Sequence, residues 1–106
     1  MRCQSVKQAE KQAALRELFE ETVLERDDFT CCRCGTTGTK LDPHHLVART
    51  AAPDLVLDPD NLVSLCRRDH RQIEDHLCPD WRSWKLKRHD FETKRESGTL
   101  PWSHRR

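Results

Sequence analysis

The sequence predicts a small α+β fold in which a helix precedes a ββ hairpin and a further helix, and three observations carry that reading. Residues 6–26 contain neither Gly nor Pro and repeat apolar side chains at helical spacing. Cys31-x-x-Cys34 is answered, after a long gap, by Cys66. Two short apolar segments, 41–48 and 60–66, flank a loop rich in Pro and Asp, and a second helical stretch follows them.

A chain of 106 residues has the size of one ordinary domain. Apolar and charged residues each make up 35%, which is too polar for a membrane protein and thin for a self-sufficient core. The uncharged apolar runs are only a few residues long, and residues 1–30 lack the apolar centre of a secretory signal, so the expectation is a cytoplasmic protein with no membrane partner. Six Cys and six His in such a chain then favour metal coordination over disulfides, and a structural zinc is the first expectation. The formal charge of +1 hides an asymmetry. Residues 1–30 hold five Lys/Arg against seven Asp/Glu, residues 31–80 six against eight, and residues 81–106 eight against three. A basic tail on a mildly acidic body is compatible with nucleic-acid contact.

The elements follow in order. Val6–Arg26 is expected to be an amphipathic helix, with Val6, Ala9, Ala13, Leu15, Leu18, Phe19 and Thr22/Val23 on its apolar side, stopped by Asp27-Asp28 and Thr30. Cys31–Thr39 is dense in turn formers and predicts a metal knuckle, with Gly35 after Cys34 allowing its tight backbone. Leu41–Ala48 is the first hairpin strand and Arg49–Asp60 an exposed loop. Asp60–Cys66 is a brief strand or turn leading into a helix over Arg67–Leu77, which Pro79 ends. The tail is expected to form one more helix from the Trp81 region to about Glu96, before Gly98 and Pro101. Residues 1–27, 28–78 and 79–106 are thus helix, core and basic extension of a single domain. Trp81, Trp84 and Phe91 have near-helical spacing and are expected to pack rather than to touch a base.

The spacing of Cys31 and Cys34 lets two thiolates bind one zinc from a single turn, and Cys66 offers a third. The fourth position, three after Cys66, is Asp69, whose carboxylate can ligate zinc; Cys32, Cys78 and Cys3 compete for that place. Small buried thiols in a reduced compartment are the plain alternative. His44-His45 lies on the first strand, Asn61 before the second, and His70 at the start of the following helix.

Three segments of the chain, Val-Leu-Glu-Arg-Asp-Asp-Phe-Thr-Cys-Cys-Arg-Cys-Gly, Pro-His-His-Leu-Val-Ala and Asp-Asn-Leu-Val-Ser-Leu-Cys-Arg-Arg-Asp-His, resemble the three blocks of the HNH endonucleases. The likeness runs from Val23 to Glu74 and is greatest to the small zinc-stapled members of phages and bacteria. It implies a ββα-metal core. His45 falls where the family has its general base, and His44 and His70 where it has metal ligands. Glu74, one helical turn after His70, extends that set, and Asn61 matches the residue that bonds backbone across the ββ loop and keeps the base in line. Neighbouring strand side chains point to opposite faces, so a bulge or the strand end must bring His44 and His45 to one site.

The resemblance implies hydrolysis of DNA phosphodiester bonds, by nicking or double-strand cleavage, with the phosphate left on the 5′ side. One catalytic divalent ion is expected, Mn, Co, Ni or Zn by ligand softness with Mg also accommodated, together with one structural Zn. Arg49, Arg67, Arg68, Arg71, Lys85, Lys87 and Arg88 are the candidate phosphate contacts. DNA is the expected partner, with phage terminase or portal proteins beside it and the host cytoplasm as the setting. The competing class is a catalytically inactive zinc-dependent DNA- or protein-binding module of the same fold. A redox protein using Cys31-x-x-Cys34 lacks the βαβ pattern that such a motif needs.

Overall fold

The computed structural model describes the backbone of residues 2–105 and the side chains of residues 10–103. It is a small α+β structure built on a two-stranded antiparallel sheet with helices around it. Helix α1 (Arg2–Leu18) runs without a break through a π turn at Phe19–Val23 into α2 (Leu24–Arg26). The expected stop after Arg26 is therefore observed, while the π turn has no counterpart in the sequence reading. In a regular α-helix, residues four apart drift by roughly 40° around the axis. A wide π turn reverses that drift. Leu15, Phe19 and Val23 consequently all face the core.

Strand β1 (Leu41–His45) pairs with β2 (Leu62–Cys66) one-to-one, from Leu41 opposite Cys66 to His45 opposite Leu62. β1 is shorter than the expected Leu41–Ala48 because Leu46 and Val47 turn into the loop, where Asn61 takes their backbone groups. Every residue of β2 is buried. Its second edge meets no strand among the described residues. The Ser64 N–H donates to Asp27 Oδ2 at 3.0 Å, and the Ser64 carbonyl accepts from the Cys32 N–H at 2.9 Å. An edge closed in this way cannot template pairing with another chain.

Residues 49–60 are not a wholly exposed loop. Two 3-10 turns, Pro53–Leu55 and Pro59–Asn61, fold it back, and Ala52 and Leu55 are buried. Helix α3 (Arg67–Glu74) ends earlier than the predicted Leu77. His76 takes a left-handed conformation at φ +56°, and the Leu77 N–H returns to the Gln72 carbonyl at 2.8 Å, closing the helix well before Pro79.

The tail differs most. Trp81 and Trp84 do not begin a helix: Trp81–Ser83 is a 3-10 turn, and α4 starts only at Arg88 and runs to Ser97. The backbone between them is engaged elsewhere. The Leu86 N–H donates to the Leu46 carbonyl at 2.7 Å, and the Trp84 carbonyl accepts from the ring of His44 at 2.6 Å. Trp84 and Phe91 are core residues, and Trp81 stacks on His76 with ring centroids 3.8 Å apart. Gly98, left-handed at φ +72°, ends α4 where the sequence placed a break.

Asp27 ties these parts together. It is 1% exposed, grips Arg26 through two hydrogen bonds of 2.8 and 3.0 Å, and caps the Ser64 amide. Arg26 in turn donates to the Pro59 and Leu62 carbonyls and lies over the Trp102 ring. Removing one partner of such a buried pair leaves the other charge uncompensated. Asp27→Ala is expected to lower stability by about 3 kcal/mol in urea unfolding, and a loss below about 1 kcal/mol would show that the pair does not hold the helix to the sheet.

Candidate metal centres

The sheet and α3 bring two groups of ligand-bearing side chains together. In the first, Cys31 and Cys34 come from the knuckle, Cys66 from the end of β2 and Asp69 from the first turn of α3. Their ligand atoms all lie within 4.8 Å of one another. Cys31 Sγ is 3.2 Å from Asp69 Oδ2, and the Cys34 and Cys66 sulfurs are 3.8 Å apart. The knuckle forms because Gly35, at φ +79°, returns its N–H to the Cys31 carbonyl at 2.9 Å. Three thiols and a carboxylate converging from three elements form a donor set suited to zinc, so this group could hold a metal.

The competing sulfurs do not join the set. Cys32 turns toward Asp27, and burial together with that charge pushes its thiol up to about 12. Cys78 is buried near Asp80 and Arg33, and the side chain of Cys3 lies outside the described residues. Asp69 is fully buried, which by itself would raise its carboxyl; hydrogen bonds from Cys34, Cys31 and Cys66 and the charge of Arg33 outweigh that and keep it ionised.

Arg33 is the residue that sequence reasoning missed. Its Nη1 donates to Asp69 Oδ1 at 2.7 Å, while Nε and Nη2 grip both oxygens of Asp80 at 2.9 Å each. In sequence it is merely a spacer between the two knuckle cysteines. The only available signal was a carboxylate at a position where a thiol was expected, since a buried carboxylate asks for a cation.

The second group is His44, His70 and Glu74, again with ligand atoms within 4.8 Å. His44 is 1% exposed, and burial lowers its pKa to about 4, so the ring is neutral and able to ligate. Its Nε2 donates to the Trp84 carbonyl at 2.6 Å; a carbonyl only accepts, so the proton sits there and Nδ1 keeps its lone pair. That Nδ1 lies 3.4 Å from Glu74 Oε2. His70 Nδ1 is 3.8 Å from Asp42 Oδ2, which adds a second carboxylate at the margin of the group.

His45 shares the cleft with these ligands, a cavity of about 480 Å³ also lined by Asp42, Arg49 and Lys85. β1 has no bulge, and His45 is its last residue. His45 Nε2 donates to the Val56 carbonyl at 3.0 Å, leaving Nδ1 unprotonated, and burial lowers the pKa below its ordinary 6.5.

Asn61 is fully buried and does not reach the cleft surface. Its Oδ1 accepts from the Val47 N–H at 2.8 Å, and its Nδ2 donates to the Val47 and Leu55 carbonyls at 3.2 Å each. A carboxylate could not make the two donations. Of the basic residues, Arg49 and Lys85 line the cleft, and Lys85 Nζ is 3.3 Å from Glu74 Oε2. Arg67, Arg68 and Arg71 are exposed on α3, and Lys87 is exposed just before α4. Arg88 is engaged by Asp54 and Glu92.

Replacing Asn61 with Ala strands the buried Val47 amide and carbonyl and leaves the Leu55 carbonyl to the Asp58 N–H alone. The expected cost is about 2–3 kcal/mol, with faster hydrogen exchange at the Val47 amide. Unchanged exchange at Val47 would contradict this account of the clamp.

The family model of HNH endonucleases matches residues 31–76, a segment that holds both ligand groups, His45 and Asn61. No curated protein and no solved structure matches the chain. The matched range spans the elements that the geometry brings together: knuckle, hairpin and α3. Residues 31–76, from the knuckle through α3, are thus similar to an HNH endonuclease domain.

Proposed function

We propose that the protein is a metal-dependent endonuclease that hydrolyses DNA phosphodiester bonds, and that a zinc held by Cys31, Cys34, Cys66 and Asp69 stabilises its fold. The observation that carries the reading is the pairing of a neutral imidazole, fixed at Nε2 by the Val56 carbonyl, with the His44, His70 and Glu74 group in one cleft.

In this reading His45 is the general base. Its Nδ1 takes a proton from the water whose oxygen attacks phosphorus, and the Val56 carbonyl continues to hold the Nε2 proton of the resulting imidazolium. The bond from phosphorus to the 3′ oxygen breaks, the phosphate stays on the 5′ side, and the leaving oxygen is protonated from solvent. A divalent cation held by His44, His70 and Glu74 would supply Lewis-acid stabilisation of charge on the phosphate and the departing oxygen. Asn61 is a positioning residue: by clamping Val47 and Leu55 it sets the backbone next to Val56. Arg49 and Lys85 at the cleft and the exposed Arg67, Arg68, Arg71 and Lys87 meet the phosphates of DNA, which Arg88 reaches only by leaving Asp54 and Glu92. By its likeness to phage members of the family, the setting proposed is the host cytoplasm and the partners proposed beside DNA are phage terminase or portal proteins.

His45→Ala is expected to lower cleavage of supercoiled plasmid by about 10²–10⁴-fold while DNA retention in a mobility-shift assay is kept. Stripping the cation with EDTA should abolish cleavage, and Mg, Mn, Co, Ni or Zn added singly should show which ions restore it. A wild-type protein that binds DNA but cuts it with none of these ions would favour the non-catalytic binding module. For the structural site, elemental analysis should find one zinc per chain that Cys66→Ser loses. That variant is expected to be less stable by several kcal/mol, and zinc retained at full occupancy would remove these residues as its ligands.

A further inference from the structure

The two ligand groups are joined by a path of hydrogen bonds that crosses one residue, Trp84, from its indole N–H to its backbone carbonyl. Asp69 turns Oδ2 toward the thiols and Oδ1 to Arg33, at 2.7 Å. Arg33 holds Asp80 through two further bonds of 2.9 Å. Asp80 Oδ2 accepts from the indole N–H of Trp84 at 3.1 Å, and the Trp84 carbonyl accepts from His44 Nε2 at 2.6 Å. Asp69, Trp84 and His44 are buried, and Arg33 and Asp80 are half-buried. The guanidinium fork is planar, so a shift of Asp69 is passed to Asp80 as a rotation of the whole group rather than absorbed by a flexible stem.

We propose that Arg33 and Asp80, acting through Trp84, couple the cysteine centre to the His44 centre, so that a metal in one tightens binding of a metal in the other. This inference rests on the two-metal reading above. A cation that takes the place of the Cys31 thiol proton on Asp69 Oδ2 fixes the carboxylate; Arg33 and Asp80 then fix Trp84, whose carbonyl sets the tautomer and direction of His44. Hydrogen bonds of this kind behind a ligating histidine govern its metal affinity. Linkage requires the reverse effect to be of equal size.

Protein loaded with one equivalent of zinc is titrated with Ni²⁺ by calorimetry, with zinc content checked before and after. Wild type is compared with Arg33→Gln, Asp80→Asn and Trp84→Phe; the last keeps a smaller aromatic ring in the core and removes the indole donor. Each variant is expected to bind Ni²⁺ about tenfold more weakly, with circular dichroism unchanged in Trp84→Phe. In wild type, Ni²⁺ should strengthen zinc retention against a chelator by the same factor, and Arg33→Gln should lose that increment. Ni²⁺ binding that depends on His44 but stays within about twofold of wild type in Asp80→Asn and Trp84→Phe overturns the coupling alone. Ni²⁺ binding that survives His44→Ala overturns the two-metal reading and the coupling together. Should Arg33→Gln fail to fold, the other two variants decide the matter.

Discussion

Two backbone carbonyls, those of Val56 and Trp84, fix the protons of two adjacent imidazoles, and much of the fold serves to hold those carbonyls still. A free imidazole divides its proton between two nitrogens and turns about its own bonds. At His45 and His44 neither freedom remains, because each Nε2 is committed to an acceptor that cannot donate in return. The nitrogens left with lone pairs are then available to the cleft. The two rings come from neighbouring positions of one strand, yet their anchors come from opposite directions: one from the loop before β2, the other from the chain that follows α3.

Each anchor has its own support. Val56 sits in a loop that closes because the buried Asn61 amide reaches Val47 and Leu55, and because Ala52 and Leu55 are drawn into the core. Trp84 is set by burial of its ring, by Asp80 at its indole N–H and by the Leu86 bond to Leu46. The cysteine group lies at the foot of the same arrangement. It joins the knuckle to β2 and to the start of α3, and through Arg33 it grips the segment that carries Trp84. In a chain with so modest an apolar fraction, buried charged pairs such as Arg26–Asp27 and Arg33–Asp69 join elements that a larger core would otherwise hold.

The sequence made some of this legible and hid the rest for definite physical reasons. Helix, knuckle, hairpin and second helix were readable because Gly, Pro and apolar spacing report local conformation. The ligand groups were readable because thiols, imidazoles and carboxylates recur at spacings that a turn or a helix brings together. The periodicity of the tail is real and points to a helix from Trp81, but the Trp84 carbonyl is spent on the His44 ring and the Leu86 N–H on the Leu46 carbonyl instead. Tertiary hydrogen bonding of that sort leaves no trace in composition. The loop over 49–60 looked exposed because Pro and Asp dominate it, while the small Ala52 and single Leu55 that anchor it give no pattern. Arg33 was invisible for the same reason: its partners, Asp69 and Asp80, are remote in sequence. Carbonyl acceptors such as Val56 belong to no residue type, and only a structure reveals them.

The most direct test of the account is the protonation of the two rings, read by long-range ¹H–¹⁵N NMR correlation on imidazole-labelled protein at neutral pH. Both His44 and His45 are expected as neutral rings with the proton on Nε2, each shielded from exchange by its carbonyl. A proton on Nδ1 of either ring, or a charged imidazolium at His45, would contradict the arrangement on which the proposed base and the proposed ligand both depend.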